Sequence, residues 1–253
     1  MPIVEAPAGV VRVEQIMGMP IVVDVRDISE PAALDPLFDW FQEVDTRFST
    51  YNSESEISRL NRGELTPIET HPDVREVLAR CDEIRVETHG YFDARAHAAG
   101  DIDPSGLVKG WAVDRAAELA DELGWRTWAI SAGGDMRLRA ARPDPTWRVG
   151  IQDPTNRNHI VAVVEADDLA IATSGTYARG EHIFDPHSRR PPTGLSSVTI
   201  TGSDLATADA YATAAFAMGT DGPAWTARLQ GYDALTLLDD GRSLRTPGFG
   251  RAH

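Results

Sequence analysis

The chain has 253 residues, and 24 Lys and Arg stand against 39 Asp and Glu, so the formal net charge is −15. An apolar share of 42% is too high for a disordered chain, and no apolar run approaches the ~20 residues of a membrane-spanning helix. The negative charge argues against a nucleic-acid partner, because a phosphate backbone would be repelled, and the single cysteine, Cys81, excludes an internal disulfide.

The first half of the chain combines two short β-branched runs with amphipathic helical patterns. The two runs flank Met17-Gly18-Met19-Pro20, which predicts two strands joined by a turn. Later apolar residues recur at three- and four-residue spacings, and Ser53 with Glu56 has the spacing of a capping box. The predicted elements are strands at residues 10–13 and 21–24, and helices at 31–48, 53–60, 73–88 and 108–123.

The second half of the chain is richer in strands. Gly133-Gly134 signals a hairpin, and Asp239-Asp240-Gly241 predicts a turn. The predicted elements are strands at 127–131, 136–139, 147–151, 161–165, 169–173, 198–201 and 235–238, and one helix at 207–218. Strands and helices mix without regular βαβ alternation, so the expected class is α+β. No repeat or long linker divides the chain, which predicts a single domain over 1–253 with room for two lobes.

Asp209 and Thr213 are the first candidate site residues. They lie four residues apart on a predicted helix, so their side chains share one face. A carboxylate and a hydroxyl are hard oxygen ligands of the type that Mg²⁺ prefers. Alternatively, Asp209 complements the helix dipole and Thr213 bonds back to a carbonyl. Spacing alone favours this second interpretation.

The segment from Asp101 to Asp114 is a second candidate site. A Pro/Gly turn leads into a helix start, where free N–H groups and the helix dipole favour an anion. Lys109 adds a positive charge near this start, and Asp103 could cap the helix or hydrogen-bond a ligand. An ordinary capped helix with a solvated lysine explains the same residues.

Loop residues give weaker signals. His182 and His187 lie near turns, where a histidine can act as a general base, although a loop histidine is more often only exposed. No Cys-x-x-Cys or His-x-His accompanies them, which argues against zinc. Tyr51 and the Gly90-Tyr91-Phe92-Asp93 turn present rings that could sandwich a heterocycle, although core packing is the commoner use.

The order of these motifs resembles the FAD:protein FMN transferase family, or ApbE family, from about Met17 to Gly219. The matching blocks are Met17-Gly18, Phe48-Ser-Thr-Tyr51 with Ser53-Glu54-Ser55 and Leu60-Asn61, Gly90-Tyr-Phe-Asp93, Asp103 to Asp114, Gly133-Gly134-Asp135, Ser174-Gly-Thr-Tyr177, His182-Ile-Phe-Asp-Pro186, and Ala208-Asp209 with Thr213. The chain departs from the family pattern at Met19, Asp103-Pro-Ser105, Ser188-Arg-Arg-Pro191 and Ala212.

The resemblance implies an α+β, T-fold-like architecture with mixed or antiparallel sheets and packed helices. It implies Mg²⁺-dependent transfer of FMN from FAD to a Thr or Ser hydroxyl of an acceptor flavoprotein, with release of AMP. Asp209, Thr213 and the carbonyl of Gly106 would hold Mg²⁺, Asp209 would thereby be catalytic, and His182 would deprotonate the acceptor hydroxyl. The FAD site would be lined by Met17, Tyr51, Tyr91, Phe92, Asp93, Asp103, Lys109 and Phe184.

Alternatives to the transferase stay open at this point. An FAD pyrophosphatase would use the same metal site, with water in place of the protein hydroxyl. A non-catalytic flavin-binding protein and a plain interaction module are further alternatives. No signal peptide or lipobox is readable, which predicts a cytoplasmic location, although many family members are exported.

Overall fold

The computed structural model describes residues 9–96, 100–141, 146–156, 158–175 and 183–250. Its main element is an eight-stranded antiparallel sheet, and a separate two-stranded hairpin accompanies it. In chain order the strands are β1 Val10–Ile16, β2 Met19–Val25, β3 Trp128–Ala132, β4 Asp135–Arg139, β5 Trp147–Gln152, β6 Ile160–Ala166, β7 Asp168–Gly175, β8 Leu195–Gly202, β9 Asp233–Leu238 and β10 Ser243–Arg245. The large sheet has the order β1-β2-β3-β4-β7-β8-β9-β10, and β5 pairs with β6.

The helices pack on one face of the large sheet and the β5–β6 hairpin packs on the other. The helices are α1 Asp35–Phe48, α2 Glu56–Asn61, α3 Pro72–Glu87, α4 Ser105–Glu122, α5 Leu205–Ala217 and α6 Gly222–Thr226, with 3₁₀ turns at Pro31–Leu34, Pro67–Glu69 and Gly219–Asp221. Strand β7 shows the division, since Ala170 and Ala172 join the helix-side core while Leu169 and Ile171 join the hairpin side. This architecture confirms the predicted α+β class.

Helices α4 and α5 approach each other closely at Gly110. A Cβ atom at this position would lie 2.5 Å from the carbonyl oxygen of Leu205 and 2.8 Å from Cα of Ala206, so only glycine fits without a shift. Beside this contact, the Asp114 carboxylate accepts the N–H groups of Leu205 and Ala206, with a bond of 2.8 Å to each. Asp114 of α4 therefore caps the start of α5 and fixes the two helices relative to each other.

The structure corrects several predicted elements. The helix predicted at 31–48 is split, because Pro36 lacks an N–H and the preceding turn is 3₁₀. The predicted Ser53/Glu56 capping box is wrong: Ser55 caps α2 by accepting the N–H of Ser58 at 3.0 Å, and Glu56 accepts the N–H of His71 instead. Sequence periodicity did not predict α6 or β10, which are only five and three residues long.

Two hairpin turns bring the chain to one end of the sheet. Met17-Gly18 joins β1 to β2 with φ of 54° and 70°, and Gly133-Gly134 joins β3 to β4 with φ of 60° and 104°. Positive φ at both central residues is typical of the turns that follow the sheet twist. None of the described helices is long and apolar enough to cross a membrane.

Candidate active site

A cavity of about 1170 Å³ opens where the two turns meet the start of α4 and the end of β5. It exceeds the roughly 300–1,000 Å³ of sites for drug-sized ligands, so a dinucleotide fits by size. Every described residue that the resemblance assigns to the site lines it, namely Met17, Tyr51, Tyr91, Phe92, Asp93, Asp103, Gly106, Lys109, Phe184, Asp209 and Thr213, whereas the loop candidate His187 does not. His182, the predicted general base, lies outside the described residues.

A buried charge cluster forms the floor of this cavity. Lys109 of α4 forms an ion pair with Asp135, the first residue of β4, and its Nζ lies 3.3 Å from Oδ1 of Asp209 on α5. Asp135 and Asp209 are both 3% exposed. Burial alone would lower the pKa of Lys109, but the charges of Asp135 and Asp209 outweigh it and raise that pKa. The lysine is therefore charged at neutral pH.

One carboxylate oxygen of Asp209 is satisfied by no group in the described part of the chain. Its Oδ2 is buried and has no hydrogen-bond partner among the described residues, and burial raises the pKa of the carboxyl despite the neighbouring ammonium of Lys109. A buried, unpartnered carboxylate oxygen is costly unless a cation or another donor meets it. The dipole interpretation of Asp209 is thereby disfavoured, because its side chain faces Lys109 inside the protein rather than solvent at the first turn of α5.

The oxygen atoms near Asp209 suit a hard divalent cation. Thr213 lies one turn further along α5, and its hydroxyl is 3.3 Å from the hydroxyl of Ser174 rather than bonded to a helix carbonyl. The carbonyl of Gly106, in the first turn of α4, keeps a second lone pair beside its helical bond. No group of three His, Cys, Asp or Glu side chains is placed to hold a metal within the described ranges. A metal here would therefore be held by one carboxylate plus neutral oxygens.

The start of α4 is fixed by side chains of the predicted motifs. Asp103 accepts the N–H of Ser105, the first residue of α4, at 3.0 Å, while the N-cap position is occupied by Pro104. Asn61 exchanges two hydrogen bonds with the backbone of Ile102, of 2.9 and 2.8 Å. Lys109 is the fifth residue of α4, one turn further in than predicted, because the helix begins at Ser105 rather than at Val108.

The predicted aromatic residues occupy different environments. Tyr51 is 99% exposed at the cavity mouth, where its ring is available to a ligand. Phe92 is buried, and its ring lies so close to Gly106 that a Cβ there would be 3.1 Å away. Tyr91 packs edge-on against His187 at 4.6 Å between ring centroids, and His187 donates from Nε2 to the carbonyl of His89 at 3.1 Å. His187 thus has a structural contact rather than a free ring.

Sequence reasoning missed Asp135, Ser174 and the wall formed by β5. Asp135 was visible only as the third residue of Gly133-Gly134-Asp135, a pattern that a plain hairpin explains equally well. Ser174 was visible only as the first residue of the block Ser174-Gly-Thr-Tyr177, and the structure places its hydroxyl beside that of Thr213. Gly150 to Gln152 reach the cavity only because β5 and β6 fold over the sheet, and no local sequence pattern predicts that contact.

The cavity is strongly acidic for its size. Its described lining residues include five aspartates, Asp45, Asp93, Asp103, Asp135 and Asp209, against the single cation Lys109. A ligand that carries two negative charges would be repelled by this lining. A divalent cation on the unpartnered oxygen of Asp209 would reverse the local field.

Comparisons with known proteins find related sequences. The sequence model described as the ApbE family matches residues 17–101 and 94–236. A FAD:protein FMN transferase of Vibrio cholerae is 32% identical over 193 residues, which are 71% of this chain and 57% of that protein. The FAD:protein FMN transferase of Salmonella typhimurium is 31% identical over 157 residues, 57% of this chain and 45% of that protein. The chain thus spans about half the length of these curated relatives.

Solved structures share the fold. The ApbE protein of Thermotoga maritima superposes with a TM-score of 0.82 at 23% identity, covering 96% of this chain and 99% of that one. The flavin transferase ApbE of Vibrio cholerae superposes with a TM-score of 0.82 at 24% identity, covering 95% and 98%. At this identity the likeness concerns the fold.

Proposed function

The chain belongs to the ApbE family, and on that premise we propose that it transfers FMN from FAD to a Thr or Ser hydroxyl of an acceptor flavoprotein. In this reaction the acceptor oxygen forms a bond to the FMN phosphorus. The bond from that phosphorus to the oxygen of AMP breaks, and AMP leaves with the electron pair. The products are a phosphoester-linked FMN and AMP.

The observation that carries this proposal is the unpartnered Oδ2 of Asp209 in an acidic cavity. FAD contains a negatively charged diphosphate, which a lining of five aspartates and one lysine would exclude. Asp209, Thr213 and the Gly106 carbonyl offer oxygen ligands to Mg²⁺, and their chemistry fits that ion. When bound, Mg²⁺ would supply Lewis-acid polarisation of phosphoryl oxygens and neutralise their charge.

The remaining residues would bind and orient the substrate. Lys109 directs a buried ammonium into the cavity, where it can bind a phosphoryl oxygen. Exposed Tyr51, together with Met17, Tyr91 and Phe184, offers apolar surface to the rings of FAD. Asp93 and Asp103 supply acceptors for its hydroxyl and amino groups. His182 would accept the proton of the attacking hydroxyl, which is the role that the resemblance implies for it.

A mass spectrum tests the transferase directly. An acceptor flavoprotein domain is incubated with this protein, FAD and Mg²⁺, and AMP is measured in parallel. We expect the acceptor to gain the mass of one FMN, and we expect Asp209→Asn to abolish that gain. Asp168→Asn is the matched control, because Asp168 pairs with Arg137 and does not line the cavity. Its transfer rate should equal that of the wild type.

His182→Ala separates binding from transfer. A general base contributes about 10²–10⁴-fold, so this variant should bind FAD normally and transfer at least about 100-fold more slowly. Unchanged transfer would refute the role of His182. Release of AMP and free FMN without an acceptor adduct would contradict the transferase and support the pyrophosphatase. FAD binding with neither product would support a flavin-binding protein instead.

A further inference from the structure

Asp135 is a buried carboxylate that the proposed reaction has not yet used. It follows the Gly133-Gly134 turn as the first residue of β4, and 97% of its surface is covered by the protein. Its Oδ1 accepts the N–H of Thr173 in β7 at 2.8 Å, and its Oδ2 is paired with Nζ of Lys109. Because two sheet strands hold it, Asp135 is a fixed point to which the flexible lysine is attached.

Lys109 lies between two carboxylates. Its Nζ contacts Asp135 and is 3.3 Å from Oδ1 of Asp209, while Oδ2 of Asp209 has no partner within the residues that the structure describes. The ammonium therefore contacts Oδ1 of Asp209 and leaves Oδ2 to another ligand. With both carboxylates ionised, the three groups carry two negative charges and one positive charge, so the cluster has a net charge of −1.

We propose that Asp135 is a positioning residue that anchors Lys109 on Oδ1 of Asp209 and keeps the cluster at −1, so that Oδ2 binds a divalent cation. This inference rests on the proposed function, because it assigns the ion to the site that would receive the diphosphate of FAD. With the ion bound, the cluster carries +1 and attracts that diphosphate. Without the charge of Asp135, the cluster would be neutral before the ion arrives, and the cation would meet an ammonium of Lys109 that only Asp209 offsets.

A purely structural role for Asp135 predicts different behaviour. If Asp135 only joined α4 to the sheet, changes to either member of its ion pair would act in the same direction, by loosening the site. The charge argument instead predicts opposite changes in metal affinity. Asp135→Asn brings the cluster to 0, Lys109→Met brings it to −2, and the double variant restores −1.

The experiment measures the affinity of the FAD-free protein for Mn²⁺ by electron paramagnetic resonance titration, followed by Mg²⁺ competition. We expect Asp135→Asn to weaken Mn²⁺ binding by about tenfold or more and Lys109→Met to tighten it by a similar factor. The double variant should return to within about threefold of the wild type, since its net charge is the same. Asp168→Asn serves as control, because it removes a carboxylate that does not line the cavity, and it should leave Mn²⁺ affinity unchanged.

The double variant also protects the test against misfolding. Removing one member of a buried ion pair leaves an unpaired charge, whereas removing both does not. The proposal is overturned if both single variants change Mn²⁺ affinity in the same direction, if Asp135→Asn binds as the wild type does, or if Asp209→Asn leaves Mn²⁺ binding intact. The two proposals can fail separately. If the Mn²⁺ affinities follow the predicted order but no acceptor gains an FMN adduct, the proposed function is refuted and the role of Asp135 is still supported.

Discussion

The contact between α4 and α5 at Gly110 permits a quantitative prediction. In Gly110→Ala, the new Cβ would lie 2.5 Å from the Leu205 oxygen, whereas ordinary contact begins at 3.4 Å. The helices must therefore separate by about 0.9 Å, because the Leu205 oxygen and Cα of Ala206 are backbone atoms and cannot rotate away. The hydrogen bonds of 2.8 Å from Leu205 and Ala206 to Asp114 would then lengthen beyond the usual range.

Three contributions set the size of the effect. Overpacking of a tight contact costs about 1–3 kcal/mol, and the loss of charge-assisted bonds to Asp114 costs about 1.5–3 kcal/mol. In the opposite direction, alanine stabilises a helix interior by about 1 kcal/mol relative to glycine. We therefore expect the free energy of unfolding to fall by about 1.5–5 kcal/mol, which lowers Tm by about 3–20 °C in a chain of this size.

Differential scanning fluorimetry and urea unfolding measure this loss. Gly150→Ala is the matched control, since the nearest neighbours of its Cβ would be side-chain atoms of Ile160, with Cδ1 at 3.0 Å, rather than backbone atoms. Its Tm should change by less than half as much. If Gly110→Ala unfolds within about 1 °C of the wild type, the helices can separate at little cost and the reasoning from this contact is refuted.

Three further predictions follow from burial and exposure. Burial raises the pKa of Asp114 to about 6 from the ordinary 3.8, although the N–H groups of Leu205 and Ala206 oppose the rise. The folded protein therefore holds this proton more tightly, so the stabilisation is complete below about pH 4 and lost as pH rises through 6. In urea unfolding, the stability advantage of wild type over Asp114→Asn should shrink by about 3 kcal/mol between pH 4 and pH 7, and a constant difference would refute the pKa shift. Tyr51→Ala should leave Tm unchanged, because the side chain is 99% exposed, yet weaken FAD binding about fivefold or more in fluorescence quenching; equal affinity would remove Tyr51 from the site. Burial raises the pKa of the Cys81 thiol to about 12, so this thiol should react with a disulfide reagent at pH 8 only after denaturation, and rapid native labelling would contradict its burial.

Most of the fold was predictable because its elements carry local signals. The Gly-containing turns at 17–18 and 133–134 each lie between the strands that they were predicted to join. Helix α3 begins one residue from its predicted start and ends one residue from its predicted end. The errors concern short elements and caps. Ser53 and Ser55 have the same capping chemistry. In the structure Ser55 occupies the N-cap position, and Ser53 lies in the preceding turn, where the Glu54 N–H bonds to the Asn52 side chain.

The site was predictable from motif order but not from individual residues. The spacing of Asp209 and Thr213 alone favoured a structural interpretation, and the evidence against it is an oxygen of Asp209 next to Lys109 that has no partner among the described residues. Asp135 lies 26 positions from Lys109 and 74 from Asp209, so their meeting depends on how α4 and α5 pack on the sheet. Long-range packing of this kind leaves no periodicity in the sequence.

The first strand also bears on how the purified protein should be handled. Strand β1 forms one end of the large sheet, with no further strand of the described chain on its outer side. Val11 and Val13 are 60% and 55% exposed on it, and such an edge can pair with a second molecule. Mutual repulsion between copies of charge −15 opposes that pairing in dilute buffer. Concentrated salt screens the repulsion, so long-term storage is safest at low ionic strength.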